Sequence, residues 1–106
     1  MPADKRDIVG PILRLLELDR TVHEPARLAI LVLLTVVEKA DFLYLLDETG
    51  LSRGNLSSHT AKLEEAGYIT IKKTFVDKIP RTVYQLTPQG TEALENHRQT
   101  LHDSLG

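Results

Sequence analysis

The chain has 106 residues, with no cysteine, no tryptophan and only three Tyr and two Phe. Without cysteine there is no disulfide, no thiolate metal site and no cysteine nucleophile. No apolar run approaches the roughly 20 residues that span a bilayer, and no basic-then-apolar leader precedes a small-residue cleavage site. The expectation is a soluble, cytoplasmic protein without membrane contact. Also missing are a glycine-rich phosphate loop, a G-x-S-x-G elbow and an H-E-x-x-H helix, and nothing arranges Ser52, His59 and Asp77 as a triad. We therefore expect no enzyme and no cofactor. A metal site is not expected either: His97 and His102 are five residues apart, off a common helical face, and with Glu92, Glu95 and Asp103 they read as a solvated helix surface.

What is present supports one compact domain over residues 1–106. At 42% hydrophobic with few aromatics, the chain can build a modest aliphatic core. Its net charge of −2 is unevenly spread. From Arg53 to Val83, six basic residues (Arg53, Lys62, Lys72, Lys73, Lys78, Arg81) face three acidic ones, a local balance of +3, and the rest of the chain carries −5. Such polarity permits an anionic partner without requiring one.

Punctuation divides the chain at regular intervals. Residues 8–18, "IVGPILRLLEL", suggest a short buried helix, with Pro11 near the start of its regular part. A second helix is expected from about Glu24 to Glu38, opened by Pro25 and burying Leu28, Leu31, Val32, Leu34 and Val36. Asp41 should cap a helix through "FLYLLDET" that Gly50 ends. Ser52 should cap the next, with Leu56, Leu63 and Ala66 inward and Gly67 as its stop. Two short helices joined so tightly form a helix-turn-helix pattern over 42–66. After Gly67 the period changes to two: "YITIKKTF" and "RTVYQLT" read as strands joined by an exposed "VDKIP" loop, a hairpin spanning 68–87. Thr87 and Pro88 then open a helix over 88–105.

The string "GNLSSHTAKLEEAGYITIKKTF", followed by "PRTVYQLTPQG", resembles the winged-helix DNA-binding domains of MarR/ArsR-like transcription regulators, over about Leu18 to Leu94. The resemblance implies an α+β, mainly α fold: a winged helix-turn-helix with N-terminal and C-terminal dimerisation helices. It also implies double-stranded DNA as partner, the helix after the turn in the major groove, the wing on the backbone or minor groove, and a homodimer. Repression follows by analogy, and a small-molecule effector, if there is one, has no signature here.

The resemblance explains a run of mediocre helix formers. Arg53, Asn55, Ser57, Ser58, Ala61 and Lys62 fall on or beside the outward face of their helix, and with the cap Ser52 they are the expected DNA-binding side. Small polar side chains let a helix enter a groove about 12 Å wide and reach base edges and phosphates. His59 matches a histidine common at this place in the family, where it touches DNA or packs at the groove edge. Thr60 departs from the family's usual apolar residue, and its hydroxyl needs a partner. In the wing, Lys78 and Arg81 are the expected phosphate contacts. Lys72 and Lys73 point to opposite faces, and Lys73, sharing a face with Ile71 and Phe75, either reaches solvent or snorkels past the core.

The terminal helices carry surplus apolar surface. Ile8, Ile12, Leu15 and Leu16, with Leu94, Leu101 and Leu105, are the expected dimer interface. The competing class is a winged-helix protein-interaction adaptor that docks through these ends and tolerates loss of Arg53, Lys62, Lys78 and Arg81.

Overall fold

A computed structural model describes the backbone from residue 5 and side chains from residue 10 onward. In chain order the elements are α1 (Lys5–Leu16), α2 (Pro25–Val37), β1 (Lys39–Asp41), α3 (Phe42–Thr49), α4 (Arg53–Glu65), β2 (Ile69–Val76), β3 (Ile79–Leu86) and α5 (Pro88–Leu105). The strands form an antiparallel sheet in the order β1-β3-β2.

Local chemistry accounts for the boundaries. Glu24, Asp41, Ser52 and Thr87 each cap a helix by accepting a backbone N–H three residues on, at 2.8, 2.8, 3.2 and 3.0 Å. Gly50 ends α3 in the left-handed region at φ 67°, its N–H reaching the Leu46 carbonyl at 3.0 Å. The end of α4 is a Schellman motif: Gly67 (φ 82°) donates to the Glu64 carbonyl and Tyr68 to the Leu63 carbonyl.

The core gathers Val22, Ile30, Leu31, Leu34, Ala40, Leu45, Leu56, Leu63, Ile69 and Tyr84. Leu56 and Leu63 are buried as the sequence suggested, but Ala66 is exposed, because it is the C-cap residue and lies past the last inward-facing turn. Val32 and Val36 also differ from expectation. In a helix apolar on nearly every side, periodicity does not choose the whole buried stripe, and the core takes Ile30 beside the expected Leu31 and Leu34. Pro11 sits inside α1 rather than near its start, and the helix stops at Leu16, two residues short of Leu18.

The molecule is elongated, 66 × 25 × 22 Å with a radius of gyration of 16.8 Å, against about 13 Å for a compact chain of this length. One long component is the antiparallel pair α1 and α5, where Ser104 Oγ donates to the Pro11 carbonyl at 3.0 Å. Another is the wing. Every residue from Lys72 to Arg81 is exposed, so the hairpin leaves the core beyond Ile71. Lys73 accordingly reaches solvent, because no core lies beneath it there. The expected five-residue loop shrinks to a two-residue turn, Asp77 and Lys78 at φ 52° and 68°, with Val76 and Ile79 already paired. Two successive left-handed residues define a type I′ turn, whose twist suits a hairpin.

Candidate nucleic-acid interface

The α4 helix has a buried and an exposed side: Leu56, Thr60 and Leu63 are buried, while Ser52, Arg53, Gly54, Asn55, Ser57, Ser58, Ala61, Lys62, Glu64 and Glu65 are exposed. The Thr60 hydroxyl finds its partners within its own helix, donating to the carbonyls of Leu56 and Ser57 at 2.9 and 3.2 Å. Its methyl therefore joins the core without an unsatisfied donor. Arg53 is held over the Phe42 ring, 5.6 Å from guanidinium carbon to centroid, which places a cation at the first turn of α4.

His59 is half-buried at the edge of this face and tied to α2. Its Nδ1 lies 3.1 Å from an Arg27 terminal nitrogen and 3.7 Å from Glu24 Oε2. Since a guanidinium only donates, Nδ1 is the acceptor in neutral His59 and the ring proton sits on Nε2. Arg27 also donates to the carbonyls of Thr21 and Arg20, at 2.6 and 3.1 Å. One side chain thus joins the α1–α2 connection to α4. Partial burial pushes the Glu24 carboxyl up, but backbone donors from Arg27 and Ala26 and the nearby His59 and Arg27 charges outweigh it and leave it below its usual value. Glu24 and Arg27 escaped the sequence analysis; only Glu24 as a cap ahead of Pro25 was open to discovery there.

In the wing, Lys72, Lys73 and Lys78 are exposed. Arg81 is also exposed, but its Nε stands 3.8 Å from Asp41 Oδ2, so part of its charge is offset by the residue that caps α3. The base of the wing is fixed to α5: the Thr87 hydroxyl donates to the Gly67 carbonyl at 2.6 Å and its N–H to the Tyr68 carbonyl at 3.0 Å. At Gly90 a Cβ would stand 2.1 Å from the Tyr68 carbonyl oxygen, which only glycine tolerates.

Behind this face, between α1 and α5, lies an open pocket of about 440 Å³ lined by Arg14, Glu17, Asp19, Tyr68, Asn96 and His97, among others. The Tyr68 hydroxyl donates to Asp19, and that bond, with burial and the Asp19 charge, pushes the phenol up to about 12. His97 is a correction to the solvated helix face expected of α5. It is 4% exposed, its Nδ1 is unpartnered, and its Nε2 is 3.5 Å from His23 Nδ1. Burial and then the neighbouring His23 lower its basicity, against an opposing pull from Asp19. Among the described residues no group of three or more His, Asp or Glu could hold a metal ion.

Of the expected interface residues on the terminal helices, the Ile8 side chain lies outside the described residues. Ile12, Leu16 and Leu105 are exposed, whereas Leu15, Leu94 and Leu101 are half-buried, Leu94 against the core. Among the described residues no helix is long and apolar enough to cross a membrane.

Residues 26–105 match the family described as the winged helix DNA-binding domain. The chain belongs to that family. An uncharacterized protein of Methanocaldococcus jannaschii is 37% identical to this winged-helix chain over 71 residues, covering 67% of the chain and 77% of that protein. The solved structure of a transcriptional regulator homologue from Pyrococcus horikoshii OT3 superimposes with a TM-score of 0.78 at 31% identity, covering 85% of this chain and 89% of that one. Sco3205, a MarR family transcriptional regulator from Streptomyces coelicolor solved in complex with DNA, shares the fold at 21% identity and a TM-score of 0.64, over 95% of this chain and 73% of that one. The winged-helix regulator family is non-enzymatic.

Proposed function

We propose that this winged-helix protein is a homodimeric transcription regulator that lays α4 in the major groove of duplex DNA and sets its wing against the backbone or minor groove. The observation that carries the reading is the polar face of α4, built from small side chains around Arg53, Asn55 and Lys62 over an apolar underside. Exposed Ile12, Leu16 and Leu105 on the projecting ends support pairing of two copies there. A two-fold pair would present two α4 helices to grooves about 34 Å apart, so the operator would be an inverted repeat. Repression by promoter occlusion is the simplest regulatory outcome.

The test is binding of the full chain to a pool of genomic duplex DNA across a salt series, beside the Arg53→Ala, Lys78→Ala double variant. Binding that weakens with salt and weakens further in the variant supports the proposal, and enriched fragments would reveal the symmetry of the site. No binding at low salt would turn the assignment toward a protein-interaction adaptor, and binding indifferent to both cations would move the DNA contact away from Arg53 and Lys78.

A further inference from the structure

The wing ends in apolar residues that stand exposed, uncovered by the described residues. Phe75 is 72% exposed and Ile79 67%, and Val76 and Pro80 beside them are exposed as well. A two-stranded ribbon has no interior, so these side chains do nothing for the hairpin that polar residues could not do better in water. An apolar cluster at the far end of a projection calls for a surface that covers it.

The register says what surface. Phe75 pairs with Pro80 and Val76 with Ile79, so each face of the ribbon carries one apolar pair at its tip. Two residues back on the same faces stand Lys73, opposite Thr82, and Arg81, opposite Thr74. Two residues of strand span about 7 Å, close to the roughly 7.5 Å depth of the B-DNA minor groove. With Phe75 and Ile79 inside the groove, Lys73 and Arg81 would stand toward the phosphates of its rims. The turn itself carries both signs, Asp77 beside Lys78, and so adds no net charge at the leading end. An apolar pair on each face just behind the turn, with a cation two residues further back, complements stacked base edges between two phosphate ridges.

Resting on the DNA-binding reading, we infer that the wing tip is an apolar wedge that enters the minor groove and bends the duplex. Strands about 4.8 Å apart with side chains on both faces overfill a groove about 6 Å wide. Entry therefore widens it, and the apolar residues repay the loss of stacking by leaving water. Sequence preference at the wing would then come from deformability, favouring flexible pyrimidine–purine steps without base contacts.

The experiment uses the full chain, a fragment enriched from genomic DNA, and energy transfer between dyes at the two duplex ends. The Phe75→Ser, Ile79→Ser double variant should fold like the parent, lose about tenfold in affinity, leave the duplex straighter and keep its salt slope. Lys78→Ala should do the reverse, reducing the salt slope by about one and leaving the bend. Phe75→Leu, Ile79→Val should restore both affinity and bend. If the serine variant binds and bends DNA as the parent does, the wedge is wrong while DNA binding stands. If the serine variant instead sediments as a smaller species, the tip is a self-association surface and the wedge is equally wrong. If the parent itself binds no duplex, the DNA-binding reading fails and takes the wedge with it.

Discussion

His23 and His97 are 74 residues apart in sequence, and their facing ring nitrogens are 3.5 Å apart in space. The pair joins the connection before α2 to the middle of α5. Glu24, next to His23, caps α2 and faces His59 of α4. Helix α4 and the long C-terminal helix thus meet through one short stretch of side chains.

Acid should weaken that meeting point. Burial and the nearby His23 hold His97 below its ordinary value. The unfolded chain therefore takes up a proton at His97 before the folded one does, and the stability tied to neutral His97 is present above the unfolded value of about 6.5 and lost as pH falls below it. We expect the Tm to drop more between pH 7 and pH 5 in the parent than in His97→Gln. Parallel curves in thermal scans would remove His97 from the account.

Arg27 should act as a positioning residue for α4. Arg27→Ala strips donors from the Thr21 and Arg20 carbonyls and frees His59, and should cost about 1–2 kcal/mol in urea unfolding. DNA affinity should fall beyond what the folded fraction accounts for. Arg27→Lys should recover little of either, since an ammonium does not reproduce the three-way fork.

Two glycines should respond oppositely. Gly90→Ala drives a methyl into the Tyr68 carbonyl and should cost about 2–4 kcal/mol, read from urea midpoints. Gly54→Ala meets no atom within 4 Å, and should stabilise α4 by up to about 0.5–1 kcal/mol. Because that methyl stands on the face proposed to enter the groove, the better-folded variant should bind DNA worse.

Asp41 serves two partners, the Tyr44 N–H as helix cap and the Arg81 guanidinium. Asp41→Asn keeps the cap and releases the cation. Stability should change by less than about 0.5 kcal/mol, since both side chains are partly exposed, while DNA affinity at low salt should rise about two- to threefold as one more charge reaches phosphate. Unchanged affinity would mean that Arg81 stays away from the duplex.

Sequence disclosed whatever is decided locally. The caps at Asp41, Ser52 and Thr87 and the stops at Gly50 and Gly67 are set by the residue and its next few neighbours. The two faces of α4 follow from helical spacing, except at Ala66, where the helix has already ended. What stayed hidden depends on distant partners. Three-residue β1 has no period of its own and exists because Ala40 pairs with Tyr84. The burial of His97 and the linking role of Arg27 arise from residues brought in by the fold. The apolar letters at the wing tip were visible, but their exposure follows from where the hairpin leaves the core.

That departure divides the molecule by how freely each part can change over generations. Leu56, Thr60 and Leu63 anchor α4 in the interior, so a lineage that alters the helix proposed to read the major groove must still satisfy the fold. Beyond Ile71 the hairpin answers to no core residue. Changes there escape the purge that removes destabilised variants, so the wing is the part of this protein on which new target preferences can be tried first.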